Sequence, residues 1–304
     1  MFPLWTLSLA ASFLLPATGE VVDNFKTCTQ FFLNRKPPKL SLMPKDLATI
    51  CQFYRGKYRF ATLYDKERRI PIFSAYKYQS GGRGRTNNWK IEPQLALPRE
   101  RSRKSMELEK TCKIDRTLLK NSQAVSEDYK QALYDRGHLL PVLHQPDRES
   151  KAATFTLTNI VPQFRRLNQG KWADYERSMT KLTKGCLDTY VLVGVVPGSE
   201  FIAHSRVNIP SHIWAAACCV AKQKKSWGVI AENNQAQIVQ HSLKQLEIQL
   251  AKCYGKKNIN LFNGACYATK QLHVTNTSRV QTRSWLPGAH RGSGEPLAKT
   301  LRGS

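Results

Sequence analysis

The stretch YDRGHLLPVLH, residues 134–144, places an Asp, an Arg and a His around a single Gly, where an apolar segment begins. Imidazole is the side chain whose unperturbed pKa lies nearest neutral pH, so His138 has the chemistry of a general base. The alternative is a buried histidine that only packs and forms hydrogen bonds. The rest of the sequence has to distinguish these two interpretations.

The charge of the chain indicates a polyanionic partner. Among 304 residues, Lys and Arg number 47 and Asp and Glu 22, giving a formal net charge of +25. This excess suits nucleic acid, heparin-like sugars or anionic lipid, and charge alone does not choose between them. With 41% hydrophobic residues the chain can bury a full core, in one large domain or two small ones.

The first nineteen residues have the pattern of a secretory signal peptide. A short apolar run ends in Ala17-Thr18-Gly19, the small-x-small pattern that precedes signal cleavage, so we expect the mature chain to begin near Glu20. The alternative is an N-terminal membrane anchor, but the run is short for a bilayer and no Lys or Arg precedes it. We therefore expect a secreted, extracellular protein with no membrane partner.

The cysteines fit that compartment, because an even number in a secreted chain favours disulfides. No Cys-x-x-Cys pair is present, which argues against zinc or redox chemistry. Adjacent Cys218 and Cys219 should join two different bridges, with free buried thiols as the alternative. Asn276-Thr277-Ser278 is a glycosylation acceptor if it is exposed. The eight cysteines are residues 28, 51, 112, 186, 218, 219, 253 and 266.

The pattern of apolar residues predicts a single α/β (α+β) domain, over residues 20–266. The predicted elements are a hairpin over 60–79, strands in 153–163, 189–196, 209–221 and 226–233, a strand or turn over 206–209, and helices over 167–182 and 241–253. A glycine-rich basic segment, residues 80–88, is predicted to be a loop. Residues 267–304 are rich in Gly, Ser, Thr and basic residues and lack an apolar face, so we expect a disordered tail.

Three polar residues match what hydrolysis of a phosphodiester needs, namely a base for water and a hard cation to stabilise growing charge. His138 has the chemistry of the base. An Asn carbonyl such as Asn168, helped by a carboxylate, is enough for Mg²⁺, which keeps most of its waters. Glu176 lies eight residues beyond Asn168, so on a helix the two are offset by about 80° and point toward one edge.

Each of these residues also has an ordinary structural interpretation. Asn168 could cap a helix, Glu176 could be a solvated helix carboxylate, and Asp135-Arg136 could be a local ion pair. The order of the motifs decides the matter, because DRGH (135–138), TNIVPQ (158–163), LNQGKW (167–172) and Glu176 follow one another. Together they closely resemble the signature of the DNA/RNA non-specific endonuclease family, the ββα-metal or His-metal finger enzymes. Within that family, VNIPSHIW (207–214) and the cysteine-bearing ends most resemble the endonuclease domain-containing 1 proteins.

The resemblance implies a ββα-metal finger nuclease core packed on a larger, mixed central sheet, with a specific role for each motif residue. His138 would activate the attacking water, and Asn168 would hold Mg²⁺, with Mn²⁺ as a possible substitute. Glu176 would support the metal-bound waters. Further residues would bind phosphate or orient the site: Arg136, Asp135, Asn159 and Gln163.

Two positions depart from the family pattern. Serratia-type members carry an Arg after the hairpin, placed to stabilise the leaving oxygen, where this chain has Lys77. Lys77 keeps the charge but loses the two-pronged guanidinium, so we expect weaker activity. Lys171 stands where a small residue is common. His144, on the same segment as His138, is expected to have a surface or packing role rather than to catalyse.

We therefore predict a secreted, magnesium-dependent endonuclease that binds DNA and RNA through their phosphates and cuts with little sequence preference, by in-line attack of water. The alternative is a catalytically weak extracellular protein that captures nucleic acid or sulfated glycans. The set of His138, Asn168 and Glu176 favours the enzyme, and Lys77 favours the binding protein. An intracellular nuclease like endonuclease G is disfavoured by the signal peptide and the cysteines. Substrate preference, disulfide connectivity and oligomeric state stay open at the level of sequence.

Overall fold

A computed structural model describes residues 21–40, 46–82, 84, 86–130 and 133–267. The predicted signal peptide, the glycosylation acceptor at Asn276 and residues 268–304 of the predicted tail lie outside this part of the chain. The strands are β1 Val21–Val22, β2 Leu47–Tyr54, β3 Lys57–Asp65, β4 Ile70–Lys77, β5 Lys90–Ile91, β6 Glu107–Leu108, β7 Tyr134–His138, β8 Ile160–Phe164, β9 Asp188–Val196, β10 Phe201–Ile202, β11 Val207–Asn208, β12 His212–Val220, β13 Lys225–Glu232 and β14 Val239–His241.

The α-helices are short and fewer than the strands. They are α1 Pro93–Ala96, α2 Arg116–Ser122, α3 Arg148–Ala153, α4 Arg165–Leu167, α5 Ala173–Leu182 and α6 Leu243–Cys253. Helix α6 begins at Leu243 rather than at His241, because Ser242 and Gln245 form a capping box that fixes its first turn. Within the described ranges, no helix is long and apolar enough to cross a membrane.

Eight strands form the central sheet, in the order β1-β2-β3-β4-β9-β12-β13-β14. The α+β class is confirmed, with one difference: the sheet expected to be mixed is antiparallel at every pairing between its strands. Short connections explain most of this, because a tight turn such as that between β3 and β4 can join only antiparallel neighbours. The predicted hairpin over 60–79 is confirmed as β3 and β4.

Both faces of the sheet are covered by apolar side chains, as the continuous run in β9 predicts. The alternation is clearest in β12, where Ile213, Ala215 and Cys219 face one core and Trp214 and Cys218 the other. The first core includes the residues of β8 and α5, and the second includes those of α6. The ββα unit and helix α6 therefore lie on opposite faces of the sheet.

The alternation in β12 also explains the disulfides. Cys218 and Cys219 point to opposite faces, so Cys219 pairs with Cys186 and Cys218 with Cys266, as expected for two different bridges. The third bridge joins Cys28 to Cys51 in β2. Cys112 and Cys253 are free thiols. The bridges attach an N-terminal 3₁₀ segment and the end of the described chain to the sheet.

The segment predicted as a strand over 153–163 differs from the prediction. Residues Leu157–Asn159 form a 3₁₀ turn, and the strand begins only at Ile160. The cause is a side-chain hydrogen bond network. The Asn159 amide Nδ2 donates to the carbonyls of Leu140 and Thr154, at 3.1 and 3.0 Å, and this turns the chain before β8 begins to pair with β7. Apolar alternation alone does not reveal this.

A buried acid and a buried base lie close together under the sheet. Glu92 Oε1 accepts hydrogen bonds from Thr156 Oγ1 at 3.0 Å and Thr158 Oγ1 at 3.4 Å, and Oε2 has no partner among the described residues. Burial raises the pKa of Glu92 to about 7 despite these bonds. Lys90 Nζ donates to the Ala152 carbonyl at 2.6 Å, and burial lowers the pKa of Lys90 to about 8.

The Cys218–Cys266 bridge should contribute strongly to stability, since it closes a 48-residue loop. We expect the double variant Cys218→Ala/Cys266→Ala to lose about 2–5 kcal/mol of unfolding free energy, measured by urea denaturation. Cys253→Ser, which changes a free thiol, is the control and should change stability little. Equal losses in the two proteins would contradict a stabilising role for this bridge.

Glu92 should make stability fall as pH rises. Its pKa in the folded protein, about 7, exceeds the ordinary value of 4.5, so between these values the folded state holds a proton that the unfolded state has lost. We expect Glu92→Gln to gain stability relative to the wild type by on the order of 1–3 kcal/mol between about pH 5 and about pH 8. Urea unfolding across this range measures it, with exposed Glu200→Gln as control. A difference that is constant with pH would disprove the assignment.

Candidate functional site

Strands β7 and β8 and the helix that follows them form a compact ββα unit. Register pairs His138 with Ile160 and Asp135 with Gln163. After β8 the chain continues through α4, a wide turn at Asn168–Trp172 with π-helical geometry, and α5. The predicted helix over 167–182 is thus confirmed from Ala173 onward, and its first turn is widened. A π turn inside a helix is frequent at functional sites.

Four of the predicted site residues line one cavity of about 510 Å³: Arg136, His138, Asn168 and Glu176. Arg136 and His138 lie on β7, Asn168 begins the wide turn, and Glu176 is in α5. The cavity is also lined by Gly84, Pro141, Val142, Leu143, Gln169 and Ala173. Motifs more than thirty residues apart in the sequence therefore meet at one place.

Asp135 orients the polar end of this unit. Its Oδ2 accepts hydrogen bonds from Asn168 Nδ2 at 3.0 Å and Gln169 Nε2 at 2.9 Å, while Oδ1 accepts from Arg165 Nε at 3.0 Å. Although burial raises the pKa of Asp135, these bonds hold it below the ordinary value. The side chain of Asn168 therefore bonds Asp135 rather than capping a helix, and Asp135 pairs with Arg165 rather than with Arg136.

Arg136 is held between two aromatic rings. Its guanidinium carbon lies 4.9 Å from the ring centroid of Trp89 and 5.9 Å from that of Tyr129, and Nη2 donates to the Ser126 carbonyl at 2.8 Å. Nε is buried and has no partner in the described part of the chain. Burial lowers the pKa of Arg136. A fixed guanidinium with free N–H capacity suits an anionic oxygen.

His138 packs in the same aromatic cluster. Its ring centroid lies 5.6 Å from that of Trp89 and 5.0 Å from that of Phe155. The backbone N–H of the next residue, Leu139, donates to the Asn159 carbonyl at 3.0 Å. The imidazole is half-buried, lines the cavity and is sterically confined by two rings, which suits a base that must keep one orientation.

Glu176 is a half-buried residue that lines the same cavity. Burial raises its pKa to about 8, and the charge of Arg177 and a hydrogen bond from Trp172 oppose this shift only in part. His144 lies behind it: Nε2 is 3.0 Å from the Glu176 carbonyl oxygen and Nδ1 is 2.8 Å from the Tyr76 hydroxyl. Burial lowers the pKa of His144 to about 4, so this histidine is neutral and structural, in keeping with the expected packing role.

Four predicted site residues lie outside this cavity: Asp135, which acts through Asn168, and Lys77, Asn159 and Gln163. Lys77 forms an ion pair with Asp188 at 2.7 Å and is not among the lining residues. Asn159 is buried, and its amide contacts Ser74, Leu140 and Thr154. Gln163 is buried beneath Gly137, where an added Cβ would come within 2.3 Å of Gln163 Oε1. Asn159 and Gln163 are thus placed to orient β7 rather than to contact phosphate.

Sequence reasoning missed Trp89, Tyr129 and Gln169. Trp89 follows the glycine-rich loop and contacts both His138 and Arg136. Tyr129 forms the second ring beside Arg136, and Gln169 shares the Asp135 carboxylate with Asn168. An aromatic residue directly after a loop rich in Gly and Arg was the available signal, but its distance from DRGH in the chain hid the contact.

The oxygen donors at the cavity fit a hard cation. Because Asn168 Nδ2 is bonded to Asp135, the other amide atom, Oδ1, is available as a ligand. Glu176 supplies a carboxyl whose negative charge is only partly balanced by Arg177 and the Trp172 hydrogen bond. Across the described ranges there is no group of three or more His, Cys, Asp or Glu that could hold a metal. The set fits Mg²⁺, which binds through one or two protein oxygens and keeps its waters, rather than zinc.

The sequence of the chain is similar to one known protein family and to individual relatives. The profile of the DNA/RNA non-specific endonuclease family matches residues 44–268. The chain is 31% identical to human Endonuclease domain-containing 1 protein over 93% of this chain and 57% of the relative. It is 31% identical to the mouse protein of the same name, over 96% of this chain and 58% of the relative.

The chain thus spans less than two thirds of the length of these relatives. A solved complex of EndoG with EndoGI aligns with a TM-score of 0.47 and 19% identity, over 66% of this chain and 84% of that chain.

Asp135 should control cation binding through Asn168. Asp135→Ala frees the amide to rotate, and loss of such an orienting partner typically costs about 10–100-fold in metal affinity. Mn²⁺ binding followed by electron paramagnetic resonance measures this. Asp174→Ala removes the same charge from exposed Asp174, which pairs with Arg177 at 2.6 Å, and is the matched control. If both variants bind Mn²⁺ equally, the orienting role is wrong.

Proposed function

Because the chain belongs to the DNA/RNA non-specific endonuclease family, we propose that it is a secreted, divalent-metal-dependent endonuclease that hydrolyses phosphodiester bonds of DNA and RNA. One observation carries this proposal: Arg136, His138, Asn168 and Glu176 line a single cavity. A protein that only captured polyanions through surface charge would have no physical need for a base, an amide oxygen and a carboxyl in one place.

His138 is the general base in this proposal. Its ring is confined by Trp89 and Phe155, so one nitrogen can face the cavity and accept a proton from water while the ring keeps its orientation. That step needs the unprotonated ring, because only a nitrogen with a free lone pair can accept the proton. Water attacks the phosphorus in line with the leaving oxygen.

Asn168 Oδ1 would hold the cation, and the Glu176 carboxyl would support the waters around it. When bound, Mg²⁺ supplies positive charge against the growing negative charge on the phosphate and leaving oxygens. Asp135 fixes the amide of Asn168, and Mn²⁺ is expected to substitute because it also prefers oxygen ligands.

Arg136 binds the phosphate. The rings of Trp89 and Tyr129 hold the guanidinium at the cavity, so its positive charge is in place for a phosphate oxygen. Contacts of this kind carry no base information, so cutting with little sequence preference follows from them. The net charge of +25 adds attraction for any nucleic acid.

Secretion is part of the proposal. It rests on the signal-peptide pattern of residues 1–19 and on three disulfides, which persist in oxidising compartments. The second candidate is a catalytically weak extracellular binding protein. Lys77 supports that candidate, because its ammonium is engaged by Asp188 and offers no guanidinium to a leaving oxygen.

His138→Asn should lose about 10²–10⁴-fold in cleavage rate, since a general base contributes that much. The assay is digestion of supercoiled plasmid and of a structured RNA with Mg²⁺, repeated with EDTA. His204→Asn, a change at an exposed turn histidine, is the matched control and should cut like the wild type.

Cutting that persists in His138→Asn would remove the base from the mechanism. If wild type and control bind both substrates in a salt-sensitive way without Mg²⁺-dependent cutting, the function is capture rather than hydrolysis.

A further inference from the structure

A second cavity, of about 770 Å³, adjoins the first at Arg136. The two share three lining residues, Arg136, Asn168 and Gln169. The phosphate that Arg136 would hold therefore lies at the boundary between them. A nucleic-acid strand continuing from that phosphate has to run into the second cavity or away from the protein.

The second cavity is strongly basic. Its lining holds four cationic side chains and one carboxylate, Asp135, which is already bonded by Arg165, Asn168 and Gln169. Lys110 and Lys130 are exposed and form no ion pair with any described residue. Free cations at a concave surface attract a phosphodiester backbone. The cationic residues are Lys110, Lys130, Arg136 and Arg165.

Aromatic side chains stand between these charges. Trp89, Tyr129 and Tyr134 line the cavity; since Trp89 and Tyr129 already contact the Arg136 guanidinium, the half-buried Tyr134 is the lining ring that remains for stacking. Interleaved basic and aromatic groups are the pattern by which proteins hold unpaired strands, because each base offers a π-face that can stack on a ring. In a duplex both faces of every base are already covered by neighbouring bases, so the rings gain nothing there.

We infer that this second cavity, lined by Lys110, Lys130, Tyr134 and Trp89, binds the unpaired nucleotides next to the cleaved phosphate, and that the protein prefers single-stranded over duplex nucleic acid. The inference rests on the proposed function for the identity of the strand. It adds to that function a preference for single-stranded substrate and the residues that bind it. A volume of about 770 Å³ falls within the range, about 300–1,000 Å³, of sites that enclose small ligands.

Binding without cleavage tests the cavity directly. A fluorescent single-stranded oligonucleotide and its duplex are titrated with the full chain in EDTA, over a series of NaCl concentrations, and followed by anisotropy. The wild type should bind the single strand more tightly. Lys110→Ala/Lys130→Ala should weaken this binding and lower the slope of log affinity against log salt by about 1.4, or about 0.7 for each lost contact.

The matched control is Lys244→Ala/Lys252→Ala. It removes the same charge from helix α6, on the opposite face of the sheet, and should leave the slope unchanged. Equal slopes in the two double variants, or duplex bound as tightly as single strand by the wild type, would overturn the inference.

Tyr134 tests stacking separately from charge. Tyr134→Leu should reduce the ratio of single-strand to duplex affinity by about fivefold or more, and Tyr134→Phe should retain it. Thermal unfolding of both variants confirms that they are folded. A ratio that is unchanged in folded Tyr134→Leu would remove the stacking role.

Cleavage separates this inference from the proposed function. With Mg²⁺, Lys110→Ala/Lys130→Ala should raise KM for the single strand and leave kcat unchanged, because the cavity binds substrate and transition state alike. Cutting by the wild type with an unaltered KM in this variant would reject the cavity and keep the nuclease. Selective single-strand binding without any cutting would reject the nuclease and keep the cavity.

Discussion

The side-chain amide of Asn159 is the interaction on which the arrangement of the site depends. Its Oδ1 accepts hydrogen bonds from the Leu140 N–H and from Ser74 Oγ in β4, both at 3.0 Å. Its Nδ2 donates to the carbonyls of Leu140 and Thr154. This fully buried amide thereby ties the end of β7, the start of β8 and the central sheet together, and removing a partner from such a buried network leaves polar groups unsatisfied.

The consequence for the site is positional. His138 lies two residues before Leu140, and its neighbour Leu139 donates to the backbone carbonyl of Asn159. The imidazole is thus carried on a strand whose end is fixed to the sheet, while Asn168 is held from the other side by Asp135. Hydrogen bonds of Asn159 fix the chain at the end of β7, and those of Asp135 fix Asn168 at its start. Because Asp135 and His138 lie on one strand, these bonds set the position of the His138 ring relative to the Asn168 amide oxygen.

Much of the fold could be predicted because apolar alternation reports burial directly. The β3–β4 hairpin, strand β9 and the amphipathic part of α5 all follow from it. The strand before Ile160 was overestimated because the Asn159 amide turns the backbone, and side-chain hydrogen bonds leave no periodic trace. The contacts of Trp89 with Arg136 and His138 are long-range, and no local pattern encodes them. Lys77 aligns with a family position, yet its partner Asp188 lies on a strand that only the sheet order brings alongside.

Because Cys218 and Cys219 are adjacent, the pairing of the disulfides depends on the register of β12. A strand sends successive side chains to opposite faces, so each thiol can reach only the partner on its own side of the sheet. A slip of β12 by one residue would exchange the faces of the two thiols and present Cys218 to Cys186. Correct oxidation therefore distinguishes the native register from its nearest competitor and locks the central strand covalently on both sides. A chain that folds in an oxidising compartment with β12 in the wrong register would therefore form non-native disulfides.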